Sequence, residues 1–158
     1  MVSTPEQQPN WDKSPAAHPA ARLSPLEGRW HFEGDVAATA HGPASTWSSE
    51  EQCSWLPGKR FLVNQWDAKV GEREFRGMAV FGHDAEHGYF ATFYDNIGNH
   101  PTYEIHLDGG TWHLGGEAQR ATYQFERDGS SVRIRWETNE GGKWKPLCEL
   151  LGTRITAH

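Results

Sequence analysis

Cysteine is scarce: the chain has two, Cys53 and Cys148, far apart in the sequence. That disfavours the disulfide framework that staples small secreted domains, and two reduced thiols carried on strands are the expectation. The sequence also has no Cys-x-x-Cys pair, no Gly-rich phosphate loop and no Ser-His-Asp order with a nucleophile elbow, so none of those chemistries has its usual signature here. No apolar run approaches the ~20 residues a membrane-crossing helix needs. The N-terminus is polar and Pro-rich where a signal peptide would be basic and then apolar, which makes a cytoplasmic location the expectation. Lys/Arg runs are missing too, and 15 basic against 21 acidic residues leave a net charge of −6. Neither nucleic acid nor a membrane surface is therefore an expected partner.

What is present points one way. Aromatics make up 12% of the chain and glycine supplies 17 residues, a composition suited to many short aromatic-rich strands joined by glycine turns. A length of 158 residues fits one domain with a real core. Residues 1–21, rich in Pro, Ala and polar groups and without periodicity, read as a mobile or loosely docked arm, with the domain spanning 22–158.

The most informative stretch runs from Tyr89 to Leu114. Tyr89, Ala91 and Phe93 alternate with Phe90, Thr92 and Tyr94, so both faces of that run are largely apolar or aromatic, as in a strand. After the break at Asp95-Asn96-Ile97-Gly98-Asn99, the residues Tyr103, Ile105 and Leu107 share one face while Thr102, Glu104 and His106 share the other. Asp108-Gly109-Gly110 closes a hairpin; a two-residue turn at Asp108-Gly109 would set Ile105 opposite Trp112 and Glu104 opposite His113. Similar alternation, punctuated by Pro57-Gly58, Gly71, Gly115-Gly116, Asp128-Gly129 and Gly141-Gly142, marks about ten strands. Short hairpins favour an up-and-down meander, and a meander of this many strands leaves two bare edges unless it closes. The expected fold is all-β: a roughly ten-stranded antiparallel up-and-down β-barrel with room for one small ligand in its mouth.

Gly28-Arg29-Trp30, opening the first strand, resembles the G-x-W signature of lipocalin-like (calycin) barrels, in which an arginine near the end of the last strand covers the tryptophan. Arg154 stands in the matching place. From about His18 to Ile155 the chain resembles a group of bacterial lipocalin-like proteins of uncharacterised function. The resemblance rests on LEGRW, KRFLV, VFGHD, YDNIG with His100 and Tyr103, LDGGTWHL, IRWE, and Trp144 followed by GTRI. The chain departs from that pattern in the last strand, with Leu147, Cys148 and Gly152 where the group usually has aromatic or acidic residues. The resemblance implies the barrel and no established reaction.

Candidate site residues follow from residue type and place. Asp95, Asn96, His100 and Tyr103 lie at or beside a strand-connecting loop, where a barrel mouth sets polar groups against a ligand; an Asx-type turn satisfying its own backbone is the alternative. Trp47, Trp66, Met78, Tyr94, Trp112 and Trp136 are the expected wall, and eight tryptophans in one chain suit a planar hydrophobic ligand. His83 and His87, or Glu104, His106 and His113, have metal-like groupings, but a hairpin turn and a solvated exterior account for them and no metal is expected. Glu50, Glu74, Arg76 and Glu137 point either way from sequence alone. Two functions remain: a carrier or sensor of a small, mostly apolar, aromatic molecule, and a cofactor-independent isomerase, cyclase or lyase in which His100 or His106 moves a proton while Tyr103 or Asn96 stabilises developing charge. A haem barrel of the nitrobindin kind would need an axial histidine in the closing strand, and Lys145 to Ile155 contains none, so no cofactor is expected. An outer strand face can meet solvent or a second copy, which leaves a homodimer open.

Overall fold

The computed structural model describes residues 18–156. A 3-10 helix, Pro19–Leu26, is followed by ten strands: β1 (Gly28–Val36), β2 (Ser45–Trp55), β3 (Leu62–Val70), β4 (Arg73–Asp84), β5 (Gly88–Asp95), β6 (Thr102–Asp108), β7 (Thr111–Gly115), β8 (Gln119–Phe125), β9 (Ser131–Glu140) and β10 (Lys143–Ile155). Each strand pairs antiparallel with its sequence neighbours, and β10 pairs with β1 to close the barrel. The expected architecture is the observed one. Of the arm expected over 1–21, residues 1–17 lie outside the described residues. Pro19, Ala20 and Ala21 open the 3-10 helix, and Ala20 is fully buried.

Closure explains why strict alternation runs along nearly every strand. Each residue points either into the barrel or out to its surface, so Trp30, Phe32, Leu62, Phe81, Trp112 and Val132 turn inward and are 0–1% exposed. Arg133 and Arg135 on β9 point outward, as their alternation with Val132 and Ile134 requires.

The strand ends near the 3-10 helix are sealed. The Trp30 indole N–H donates to the Leu26 carbonyl at 2.9 Å, and the Arg154 guanidinium lies 4.3 Å above the Trp30 ring. That guanidinium also donates to the carbonyls of Gly129 at 2.8 Å, Pro25 at 2.9 Å, and Glu27. One cation thereby ties the start of β1, the β8–β9 turn and the end of β10 to the 3-10 helix, and the expected cover of Arg154 over Trp30 is present.

One register differs from expectation. The β6–β7 turn is Gly109-Gly110, so Asp108 pairs with Thr111, Leu107 with Trp112, His106 with His113 and Ile105 with Leu114. Gly109 takes φ +59° and Gly110 does not take a positive φ, the φ pattern of a type II′ turn, which wants glycine at its first central position. The shift is by two in the sum of paired positions, so every side chain stays on its expected face.

Gly28 holds the clasp open. Its φ is +122°, and a Cβ there would stand 2.4 Å from the Arg154 guanidinium nitrogen. Gly28→Ala is expected to lower stability by about 1–3 kcal/mol through backbone strain and loss of the Arg154 contacts, read as a shift in the urea unfolding midpoint. An unchanged midpoint would contradict the clasp.

Candidate functional site

The inside of the barrel is not uniform along its axis. Its middle is packed with residues almost wholly buried, and the inward residues nearer either rim are half-buried: Trp55, Tyr89, Leu107 and Phe125 at the end by the 3-10 helix, and Val36, Trp47, Phe75, Phe93 and Trp136 at the opposite end. The 3-10 helix covers the first of these ends with its buried Ala20, Leu23 and Leu26, so the interior can be reached from the second. The aromatic rings there form a continuous wall. Trp47 meets Phe75 at 5.6 Å between centroids, Phe75 meets Trp66 at 5.7 Å, and Trp66 meets Phe93 at 5.9 Å. Phe93 then meets Tyr103 at 5.3 Å and Trp136 at 5.7 Å, and Tyr103 meets Trp136 at 5.3 Å, mostly edge to face. Gly77 makes room for this wall, because a Cβ there would come within 2.4 Å of the Trp66 ring.

A polar chain runs beside the rings. On β2 the inward residues Trp47, Ser49, Glu51 and Cys53 follow one another at a period of two. The Trp47 N–H donates to Ser49 Oγ at 2.9 Å, and Ser49 Oγ donates to Glu51 Oε2 at 2.9 Å. From β3, Asn64 Nδ2 donates to Glu51 Oε1 at 3.2 Å and to Cys53 Sγ at 2.9 Å. Glu51 keeps some surface open, yet protein surrounds it, so that surface faces the barrel interior. Burial pushes its carboxyl up to about 7 against the opposing hydrogen bonds from Ser49 and Asn64. Burial likewise pushes the Cys53 and Cys148 thiols up to about 12, which leaves both protonated and unreactive. Both are free thiols, as expected. The Tyr123 phenol is held well above its ordinary range, by burial first and then by Glu51, Cys53, Tyr103 and Cys148, so groups from β2, β6, β8 and β10 converge in one interior. Across the ladder from Glu51 stands Trp66, whose indole N–H is buried without an acceptor. Such an orphaned donor is uncommon and calls for an explanation.

Of the expected wall, the structure brings together Trp47, Trp66, Trp136 and Tyr103. Trp112 faces inward but lies in the sealed half, stacked on Tyr123 at 6.0 Å. Met78 and Tyr94 are not in the interior. They pair with each other on the outer face of β4 and β5, and Tyr94 is 49% exposed, because alternation gives the inside to Gly77, Ala79, Phe93 and Asp95. Asp95 is spent on its loop: Oδ1 accepts from the backbone N–H groups of Ile97, Gly98 and Asn99, each at 3.0 Å. Asn96 pairs with β4 backbone, accepting from Arg76 N–H at 3.0 Å and donating to the Glu74 carbonyl at 3.3 Å. His100 is exposed in the β5–β6 loop, and His106 is exposed on the outer face beside His113, their rings 6.3 Å apart. The expected acid/base histidines therefore do not reach the interior. Glu50, Glu74, Arg76 and Glu137 all lie on the outer face, Arg76 against Asp67 at 3.1 Å and Glu137 against Arg120 at 2.8 Å. His87 and Asp84 close the β4–β5 turn, and among the described residues no cluster of metal-ligating side chains is present.

Sequence reading missed Glu51, Ser49, Asn64, Phe75 and Phe93 as site residues. The usable signal was the period of two from Trp47 to Cys53, which places Glu51 on the same face as two tryptophans.

The profile of the family described as "Protein of unknown function (DUF1579)" matches residues 16–150. No curated protein matches the chain. Among solved structures, that of Rv2717c from M. tuberculosis superposes with a TM-score of 0.69 at 14% identity, covering 88% of this chain and 99% of the other. The S-type phycobiliprotein lyase CPES from Guillardia theta superposes with a TM-score of 0.52 at 11% identity, covering 87% and 93%. At these identities the likeness is one of fold.

The Glu51 environment has a thermodynamic consequence. With its carboxyl raised from about 4.5 to about 7, the folded chain keeps a proton that the unfolded chain has released between those values. Stability therefore falls as pH rises through that window and levels off above it. Glu51→Gln lacks this titration. The variant should gain on the wild type by on the order of 2 kcal/mol between pH 4.5 and pH 8, read from paired thermal unfolding at each pH. A pH-independent difference would place Glu51 in a solvated setting.

Proposed function

This chain belongs to the DUF1579 family of proteins of unknown function, and we propose that it holds a small, mostly apolar, aromatic molecule inside its barrel. The observation that carries this reading is the open, ring-lined end of the interior, where the buried Trp66 N–H has no acceptor. Protein interiors seldom leave a donor unused, and a ligand acceptor reaching Trp66 would satisfy it while the ligand's rings met Phe93, Tyr103 and Trp136.

On the same reading the protein is a lipocalin-like, calycin-type barrel of a bacterial cytoplasm. Its partner is the small molecule, and neither nucleic acid nor membrane is involved. The net charge of −6 supports the exclusion of nucleic acid, and among the described residues no helix is long and apolar enough to cross a membrane. A homodimer would use the outer face of β3 to β5, where Phe61 and Tyr94 are exposed.

A second reading, a cofactor-independent isomerase, cyclase or lyase in the same interior, is favoured by one observation. Glu51 has a carboxyl at about 7, where a side chain can both give and take a proton near neutrality. Glu51 takes the acid/base role there in place of His100 and His106, with the Tyr103 phenol, held protonated, as donor to developing charge.

The test is a titration with the neutral fluorophore N-phenyl-1-naphthylamine, with product analysis of each mixture. Saturable binding with the compound recovered unchanged supports the carrier. Trp66→Ala should weaken binding by at least about tenfold, the loss of one aromatic wall and one hydrogen bond, while His106→Ala on the outer face leaves it unchanged. Conversion of the compound, lost in Glu51→Gln, would decide for the enzyme. Absence of saturable binding would overturn both readings.

A further inference from the structure

Glu51 is an acid with hydrogen-bond donors around it but no cation. Each of its oxygens accepts one neutral hydrogen bond, from Ser49 and from Asn64. Among the described residues, the strand-borne Lys and Arg at inward positions stand at the two ends of the barrel: Arg154 at the sealed end, and Arg73, Lys143 and Lys145 exposed at the rim of the other, Lys145 against Glu140 at 3.2 Å. Arg154 is engaged by Trp30 and by backbone carbonyls, and His83, at the same end, packs on Tyr89 at 4.6 Å. No basic group shifts the Glu51 titration. A carboxylate held this way is costly, because a buried charge is tolerated when it is paired. The neighbouring rings offer the complementary half of the same preference, since indole and phenyl faces attract cations, most strongly where water is excluded.

We infer that the ligand of this barrel is a planar aromatic molecule carrying a positive charge, a protonated nitrogen heterocycle or arylammonium, whose cationic group pairs with Glu51 while its ring lies against Trp66, Phe93 and Trp136. The inference rests on the barrel-binding reading above and narrows it to one class of ligand. Glu51 and Trp66 are paired across β2 and β3 on the inner face, which sets their side chains about 5 Å apart at Cβ. The two therefore recognise adjacent features of one molecule: a cationic group at Glu51 and a hydrogen-bond acceptor at the Trp66 N–H. The overall charge of −6 favours the approach of such a ligand over an anionic one.

Binding of a cation requires ionised Glu51, so affinity should rise with pH through about 7 and level off above it. The groups facing Glu51 do not obscure this titration. From its own strand comes Cys53, from β6 Tyr103, from β8 Tyr123 and from β10 Cys148, all titrating far above neutrality. From β1 and β3 come Trp30, Asn64 and Trp66, which do not titrate.

The experiment compares three planar probes on the full chain by fluorescence and calorimetry at moderate salt: proflavine as the cation, N-phenyl-1-naphthylamine as the neutral probe, and 8-anilinonaphthalene-1-sulfonate as the anion on the same skeleton as the neutral one. Proflavine should bind tightest and the sulfonate weakest. Glu51→Gln should weaken proflavine by at least about tenfold, as loss of a desolvated charge partner does, and change the neutral probe by less than about twofold. Glu74→Gln on the outer face should change neither. Should Glu51→Gln fold poorly, the wild type alone decides: proflavine affinity that falls at least severalfold from pH 8 to pH 6, with the neutral probe flat, supports the pairing. If proflavine binds no more tightly than the neutral probe, or equally to wild type and variant, or without pH dependence, the charge pairing is overturned while barrel binding stands. If none of the three binds, both fall.

Discussion

Closure of β10 onto β1 is the constraint on which the rest of the structure depends. Closure removes both sheet edges and turns a two-sided meander into an object with an inside and an outside. Once closed, the barrel admits no independent choice of facing: a residue's parity along its strand decides whether it meets core or water. The clasp at the sealed end fixes where closure occurs. Arg154 reaches across from the last strand to Trp30 on the first, and three of its donors are taken by carbonyls of two separate segments, Pro25 and Glu27 beside β1 and Gly129 in the β8–β9 turn. Five fixed donors on a planar cation suit this position better than an ammonium would. The contact also fills the sealed end, so the interior can stay open only at the other.

That asymmetry makes the site. Trp30, Phe32 and Val132, none more than 1% exposed, pack the sealed half as a protein core. In the other half the inward positions carry rings that meet one another mostly edge to face, across the barrel from Phe93 to Trp136 as well as around it, with Gly77 leaving room for Trp66. Polar residues on β2 and β3 share this half because the same alternation that turns Trp47 and Trp66 inward also turns Ser49, Glu51 and Asn64 inward. The aromatic wall and the acid are therefore one consequence of register.

What was legible in the sequence was whatever depends on alternation and turns. The strands, their order and the faces of β6 and β9 follow from period-two patterns and hairpin turns, while the Trp30–Arg154 contact was implied by the family resemblance that Gly28-Arg29-Trp30 carries. What was not legible depends on geometry around the barrel. Asp95 and Asn96 look like a polar mouth, but a carboxylate two to four residues before three backbone N–H groups is satisfied locally before any ligand can compete. Met78 and Tyr94 look like wall because both faces of β4 and β5 are apolar, so hydrophobicity alone does not choose the inner face. Glycine settled it: Gly77 has to be inside, where only a residue without a side chain leaves room for Trp66. Glu51 was hidden by its neighbour Glu50, since two adjacent acids on a strand read as solvated although alternation sends them to opposite sides.

An acid in such a place is a choice against stability. Replacing Glu51 with a hydrocarbon of similar volume would remove a buried ionisable group from the interior and, with it, the need for Asn64 and Ser49 to be polar. Asn64 and Ser49 are both buried and both directed at it, so three neighbouring inward positions on two strands are committed to keeping one carboxyl in place. A side chain retained only for packing does not need such support. Under the proposed binding role that support has a use, because fixed hydrogen bonds hold a defined oxygen in the interior where an unsupported acid would reorient toward water.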